Sequence, residues 1–303
     1  MTPDRVLLEQ VLAIAEQAGN AILEVYDAPD PVKVITKDDD TPVTAADHAA
    51  HRVIVAGLAA LTPDIPVLSE ESVMPDAATR LGWSRYWLVD PLDGTKEFIN
   101  RTGEFTVNIA LIDQHQPVLG VVTVPVKQMA YVGAQGCGAF KILQGQWQPI
   151  AIRKVVPGQL AIAGSRRHGA EKLEPMLKRI EAAGIAVDMT SMGSSLKFCL
   201  VAEGVADCYP RLGPTSEWDT AAAQAVLQEA GGRVVDTDYR PLTYNQKESL
   251  LNPEFFALGD PDFPGRTTCT EPSLTAQGWG MVCIKRDQNP ARGSADYHLR
   301  SAI

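Results

Sequence analysis

Asp90 and Asp93 stand three residues apart in Trp87-Leu88-Val89-Asp90-Pro91-Leu92-Asp93-Gly94-Thr95, where an apolar run passes into polar residues. The run reads as a strand that delivers Asp90 at its C-terminal end. Pro91 is expected to force a turn, and Gly94 to permit close backbone approach. Two carboxylates so spaced can share hard cations, with the Leu92 carbonyl as a further oxygen ligand. Magnesium suits such a donor set: few carboxylates, oxygen ligands, and open positions for water and a phosphate. An Asx-turn capping a helix would use the same residues, so alone they leave ligand and cap open. Glu70-Glu71 follows another short apolar run and can reach the same end of a sheet, although paired carboxylates on a loop are commonly surface charge. Asp219 follows Trp218 and opens an alanine-rich helix, where an ordinary N-cap is the competing reading. As a set, Glu70, Asp90, Asp93 and Asp219 suit a two-metal phosphoryl site.

The elements that must carry these residues alternate along the chain. Thr2-Pro3 is expected to start a helix whose face of Leu8, Val11, Leu12, Ala15, Ala18, Ile22 and Val25 ends at Tyr26. Val32 and Val34 read as a strand before the charged loop Lys37-Asp38-Asp39-Asp40, and a second helix is expected from about Thr44 to Leu61. Strands are expected before Glu70 and Asp90, over 105–112 and 118–124, and at 129–132. Beyond a turn-like stretch at 144–149, a buried strand at 160–163 precedes helices over 171–183, 195–203 and 219–230, with strands at 207–209 and 233–236. Strands and helices in this order imply an α/β or layered α+β architecture. The expected division is a metal-binding α+β domain over 1–150, an α/β substrate domain over 151–263, and a poorly ordered tail over 264–303.

Composition narrows the function classes. The chain has 303 residues, a net charge of −10 and 45 % hydrophobic residues, which provides for a sizeable core and disfavours binding of a nucleic-acid duplex. A polyanionic substrate would also be repelled, unless bound cations invert the local sign. The five cysteines are widely spaced and form no Cys-x-x-Cys pair, so Cys137, Cys199 and Cys208 read as small, partly buried hydrophobes in a reducing compartment. Cys269 and Cys283, in the tail, are given no role. The start lacks a signal-peptide pattern and no apolar stretch is expected to span a bilayer. A cytoplasmic protein is the expectation, with peripheral association with the inner membrane left open, and no stripe of residues indicates an oligomer.

Leu68-Ser69-Glu70-Glu71-Ser72, Asp90-Pro91-Leu92-Asp93-Gly94-Thr95 and Trp218-Asp219-Thr220-Ala221-Ala222 together resemble the inositol monophosphatase superfamily of lithium-sensitive phosphatases, over about residues 5–259. Pro42-Val43-Thr44-Ala45-Ala46-Asp47, Gly103-Glu104-Phe105-Thr106-Val107-Asn108 and Gly193-Ser194-Ser195-Leu196-Lys197-Phe198-Cys199 are similar to its bacterial CysQ branch, the 3'(2'),5'-bisphosphate nucleotidases. The resemblance implies an α/β fold, a layered αβαβα sandwich, with the active site between the two halves. It implies two magnesium ions held by Glu70, Asp90, the Leu92 carbonyl, Asp93 and Asp219, and allows a third, weaker ion near Glu70. Asp47 and Thr95 would orient the attacking water and take its proton. Glu71 would orient a water on the metal, and Lys37 would modulate the outer ion. Backbone N–H groups of Gly94 and Thr95 would receive phosphate oxygens. Ser165 and His168 would line a nucleotide pocket, Ser194 and Lys197 would hold the second phosphate, and Tyr209 and Arg211 stand within reach of the same substrate.

The function implied is hydrolysis of adenosine 3',5'-bisphosphate to AMP and phosphate in sulfur assimilation, with phosphoadenosine phosphosulfate as a second substrate. The same chemistry on an inositol or sugar monophosphate is the nearest rival. A catalytically inactive nucleotide sensor is a rival of another class, opposed by the competent residue at every inferred catalytic position.

Overall fold

The computed structural model describes residues 3–29, 34–36, 42–164, 170–260, 283–286 and 297–300. The apolar face from Leu8 to Ile22 becomes helix α1 (Arg5–Tyr26), capped by Asp4, whose carboxylate accepts the Leu7 N–H at 2.8 Å. The cap is thus Asp4 rather than the expected Thr2. By length and apolar content α1 could cross a bilayer, contrary to expectation, but Leu8, Val11, Ala15, Ala18 and Ile22 are fully buried in protein, which makes it a core helix. Strands β1 (Val34–Thr36) and β2 (Pro42–Thr44) pair antiparallel and lead into α2 (Ala45–Leu61).

Next come β3 (Val67–Ser69), α3 (Ala77–Leu81), β4 (Arg85–Asp93), α4 (Thr95–Ile99), β5 (Thr106–Asp113), β6 (Gln116–Val124), β7 (Met129–Ala134), β8 (Gly138–Leu143) and β9 (Gln146–Ile150). The strands form one seven-stranded sheet in chain order, with only the β3–β4 pair parallel. The stretch expected to be a turn near 144–149 is a tight hairpin whose second arm is β9. A second sheet is built from β10 (Gln159–Gly164), β11 (Ala186–Ser191), β12 (Cys208–Arg211), β13 (Arg233–Asp236) and β14 (Phe255–Leu258), ordered β11-β10-β12-β14-β13. Helices α5 (Ala170–Ala182), α6 (Leu196–Ala202) and α7 (Ala221–Glu229) complete this half. Beyond residue 263, β15 (Cys283–Arg286) and β16 (Tyr297–Arg300) pair antiparallel.

Period-2 alternation in the long strands sorts side chains into layers. On β4, Trp87 and Val89 join α1 and α2 in one core, while Tyr86 and Leu88 face α6, α7 and the inner side of the second sheet. The outer face of that sheet, through Ile162, Cys208 and Phe256, packs with Leu173-bearing α5 and its Ile180. The result is an αβαβα sandwich. Contact between α7 and the first sheet is close: a Cβ added at Gly120 on β6 would lie 2.0 Å from the Ala222 carbonyl oxygen. Only glycine lets the helix backbone settle there.

Candidate active site

The acidic motif is set by a bulge, not by the turn expected of Pro91. β4 pairs with β5 through Asp90–Asn108 and resumes at Asp93–Thr106 with the register shifted by one, so Pro91 and Leu92 together oppose Val107 between two paired carboxylates. Asp90 is buried, and the Leu92 N–H donates to its Oδ1 at 3.0 Å. Gly94 then adopts φ +94°, and a Cβ there would crowd Glu104 and Phe105 at 3.4 Å. Its left-handed turn starts α4 at Thr95. Beside this loop, the Glu70 N–H donates to the Val89 carbonyl at 3.1 Å, which extends the parallel pairing by one residue and sets Glu70 alongside Asp90.

Asp47 arrives from the first turn of α2. The backbone N–H and hydroxyl of Thr44 both donate to its Oδ2, at 2.8 and 2.7 Å, in a capping box. That leaves Oδ1 to accept the Thr95 hydroxyl at 3.3 Å. Burial raises the Asp47 pKa, and the charge of Glu71 adds to this, against the lowering effect of the Thr44 donors. The expected Asp47–Thr95 pair is therefore present. Glu71 stands near enough to Asp47 and His51 to act on both electrostatically. His51 Nδ1 lies 2.9 Å from the Ser69 hydroxyl at the end of β3.

Asp219 is not the first residue of an α-helix, as its sequence suggested. It ends a 3₁₀ turn (Glu217–Asp219), and its Oδ2 accepts the Ser216 N–H at 2.9 Å; α7 follows after Thr220. Since α7 is locked onto β6, the turn is held over the ends of β4 and β5. Glu70, Asp90, Leu92, Asp93, Gly94, Thr95, Asp219 and Trp218 all line one cleft of about 330 Å³.

The electrostatics of this cleft are those of crowded, buried carboxylates. Burial, followed by the charges of Glu70, Asp93 and Asp219, pushes the Asp90 carboxyl well above its ordinary range. Asp219 is raised in the same way by burial and by Asp93 and Glu70. Burial also raises Asp93, while Lys197, the Ser195 N–H and Asn108 oppose it. Among the described residues no three acidic, histidine or cysteine side chains close on a point as a finished cage. An open ring of carboxylates with one backbone carbonyl fits magnesium, which keeps water in its coordination sphere and binds through few protein oxygens. A divalent cation would also remove the repulsion that raises these groups.

The opposite charge comes from the second half. Ser194 has φ +47°, and its buried hydroxyl has no protein partner. Lys197 is 6 % exposed; its ammonium donates to the carbonyls of Met192 and Ser194 and lies 5.3 Å from the Tyr209 ring. Burial lowers its pKa to about 8, against the pull of Asp93. Arg211 donates through Nη2 to the Pro214 carbonyl at 2.7 Å and keeps a buried, unpartnered Nε. Ser194, Lys197, Tyr209 and Arg211 line the same cleft as the carboxylates. Ser165, His168 and Lys37 lie outside the described residues. Thr106, Asn108 and Ser195 carry no role in the sequence reading, yet all three are buried and clustered around Asp93. Their signal was present in the sequence: Thr106 and Asn108 are polar residues on one face of an otherwise apolar strand.

The chain is similar to known proteins over most of its length. A model of the inositol monophosphatase family matches residues 4–259. The 3'(2'),5'-bisphosphate nucleotidase CysQ of Escherichia coli K12 is 53 % identical over 249 residues, 82 % of this chain and 98 % of that protein. The protein of the same name from Haemophilus influenzae is 40 % identical over 269 residues, covering 88 % and 98 %. Among solved structures, CysQ from Bacteroides thetaiotaomicron matches with a TM-score of 0.74 and 41 % identity, over 84 % of this chain and 97 % of that one. Thermotoga maritima IMPase, at 22 % identity and a TM-score of 0.67, shares the fold.

Proposed function

The chain belongs to the inositol monophosphatase family, and from that premise we propose that it is a magnesium-dependent 3'(2'),5'-bisphosphate nucleotidase acting on adenosine 3',5'-bisphosphate in sulfur assimilation. Water is consumed, the bond between phosphorus and the ribose 3'-oxygen breaks, and AMP and inorganic phosphate leave. Phosphoadenosine phosphosulfate is accepted as a second substrate. One observation carries the reading: an anionic ring suited to cations and the donors Ser194, Lys197 and Arg211 line a single cleft. A substrate with two separated phosphates needs both.

In this reading Glu70, Asp90, the Leu92 carbonyl, Asp93 and Asp219 hold two magnesium ions, with a third, weaker one near Glu70. Bound magnesium supplies charge neutralisation for the phosphate and acidifies a water. Thr95 receives the proton of the attacking water as its own hydroxyl proton passes to Asp47 Oδ1. Burial readies Asp47 for this, because a carboxylate with a raised pKa is the better proton acceptor. The N–H groups of Gly94 and Thr95 receive phosphate oxygens as α4 begins. Lys197 and Arg211 receive the second phosphate, and the free hydroxyl of Ser194 adds a donor. Ser165 and His168 contact the nucleoside, and Glu71 orients a water. A cytoplasmic location belongs to the same reading and is supported by the free thiols of Cys137, Cys199 and Cys208.

Kinetics on a panel of phosphate esters with magnesium, with and without lithium, test this directly. Adenosine 3',5'-bisphosphate should be the best substrate, with lithium inhibiting. Faster turnover of inositol 1-phosphate would move the substrate to the monophosphates. Retained binding of the bisphosphate without phosphate release would make the protein a sensor.

A further inference from the structure

The hydrogen bonds around Asp93 have a direction. Ser195 lies in the loop that carries Ser194 and ends in α6, in the second half of the chain. Its hydroxyl donates to Asn108 Oδ1 at 2.8 Å and lies 3.0 Å from the Thr106 hydroxyl. Each hydroxyl has one hydrogen. With the Ser195 hydrogen given to Asn108, the hydroxyl contact requires Thr106 to donate to Ser195. Thr106 then has nothing left for its longer contact of 3.4 Å to Asp93 Oδ2. The Asn108 amide, its oxygen committed to Ser195, turns its NH₂ towards Asp93 Oδ2 at 3.4 Å. The Ser195 backbone N–H meets the same oxygen at 2.6 Å, the shortest bond of the group. Thr106, Asn108 and Ser195 are each at most 2 % exposed, so solvent does not replace these donors.

We propose that Thr106, Asn108 and Ser195 are positioning residues for the magnesium site. They occupy Asp93 Oδ2 with two donors, leave Oδ1 as the oxygen available to a cation, and fasten the substrate loop to the metal ligand. The stronger contacts of Thr106 and Asn108 go to the Ser195 hydroxyl and not to Asp93. Their main action is therefore indirect: they hold the loop so that the Ser195 N–H points at the carboxylate. Next to it, the Gly193 N–H donates to Glu104 Oε2 at 2.9 Å, and a Cβ on Gly193 would lie 2.9 Å from the Glu104 carbonyl oxygen. The loop is pinned on both sides of Ser194. Outer partners of metal-binding carboxylates typically change metal affinity by roughly 10- to 100-fold when removed.

This inference rests on the magnesium-dependent reading, and its test separates the two. Binding of magnesium alone is measured by titration calorimetry on the full chain without substrate, with thermal melts of the metal-free proteins alongside. Ser195→Ala removes the hydroxyl but keeps the N–H; Thr106→Val keeps shape and strand propensity while removing its donor. Both should bind magnesium at least about tenfold more weakly than the unaltered chain. Thr106→Ser, which retains the hydroxyl, should stay within about threefold of the unaltered chain. A purely structural role would lower the melting temperature and leave magnesium affinity unchanged, and that result overturns the proposal. So does equal weakening by Thr106→Ser and Thr106→Val. If the unaltered chain binds no magnesium, the phosphatase reading itself falls.

Discussion

Asp47 has two oxygens with separate tasks. The capping box takes one and Thr95 the other, so the residue that caps α2 is also, in the proposed mechanism, the proton acceptor. To accept a proton it must be ionised, and burial has raised its pKa. Turnover should therefore fall as pH drops through a value above the usual aspartate range, with full activity on the alkaline side. Asp47→Asn should lower kcat by about 10²- to 10⁴-fold with a smaller change in KM, and should remove that acid limb from the pH–rate profile. An unchanged profile would assign the proton elsewhere. At this scale the sequence was informative because chemistry is written in residue type and short spacing. Asp90, Asp93 and Gly94 were legible for that reason, and so was the Thr44–Asp47 end of α2. What stayed hidden was which oxygen of each carboxylate is already used. Partners 48 and 102 residues away in the chain decide that for Asp47 and Asp93.

The elements were unevenly legible. Long periodic segments such as α1 and α2 keep nearly their expected bounds, since amphipathic spacing over many residues is a strong local signal. β11 and β14 are not foreseen from the sequence: β11 is an edge strand with mostly exposed residues, and β14 is a buried apolar run of only four residues, too short for its period to tell strand from helix. The bulge at Pro91-Leu92 reads as a turn in the sequence because one extra residue inside a strand depends on register with β5, which no local pattern encodes. The packing of α7 on β6 is likewise a long-range fact with a sharp consequence. Gly120→Ala should cost about 1–3 kcal/mol, visible as a lower melting temperature. It should also weaken magnesium binding, because the 3₁₀ turn bearing Asp219 precedes the displaced helix. A shift in stability with metal affinity intact would show that the turn is held independently of α7.

As a whole the molecule is an anionic sandwich, net charge −10, with its most crowded carboxylates buried at one cleft. Asp90 and Asp219 have pKa values raised in the folded state. A raised carboxyl pKa gives stability that is complete below the unfolded value and is lost as pH rises through the folded one. The EDTA-treated protein should thus melt at lower temperature as pH increases above the ordinary aspartate range. Magnesium should reverse the trend, adding about 2.7 kcal/mol at a concentration 100 times its dissociation constant, with the largest gain at alkaline pH. A melting temperature indifferent to magnesium across that range would argue against the cation site. The αβαβα layering was foreseeable from the family motifs, whereas the joining of the two halves through Ser195 and Asp93 was not. That Asp219 comes so late in the chain also places the site in time. A growing polypeptide exposes Glu70, Asp90 and Asp93 first, and at ordinary rates of synthesis the last carboxylate follows on the order of ten seconds later. On the proposed ligand set, the nascent protein would have an incomplete claim on the cell's magnesium until its second half exists, so loading would be a closing event of biogenesis and would report that both halves have assembled.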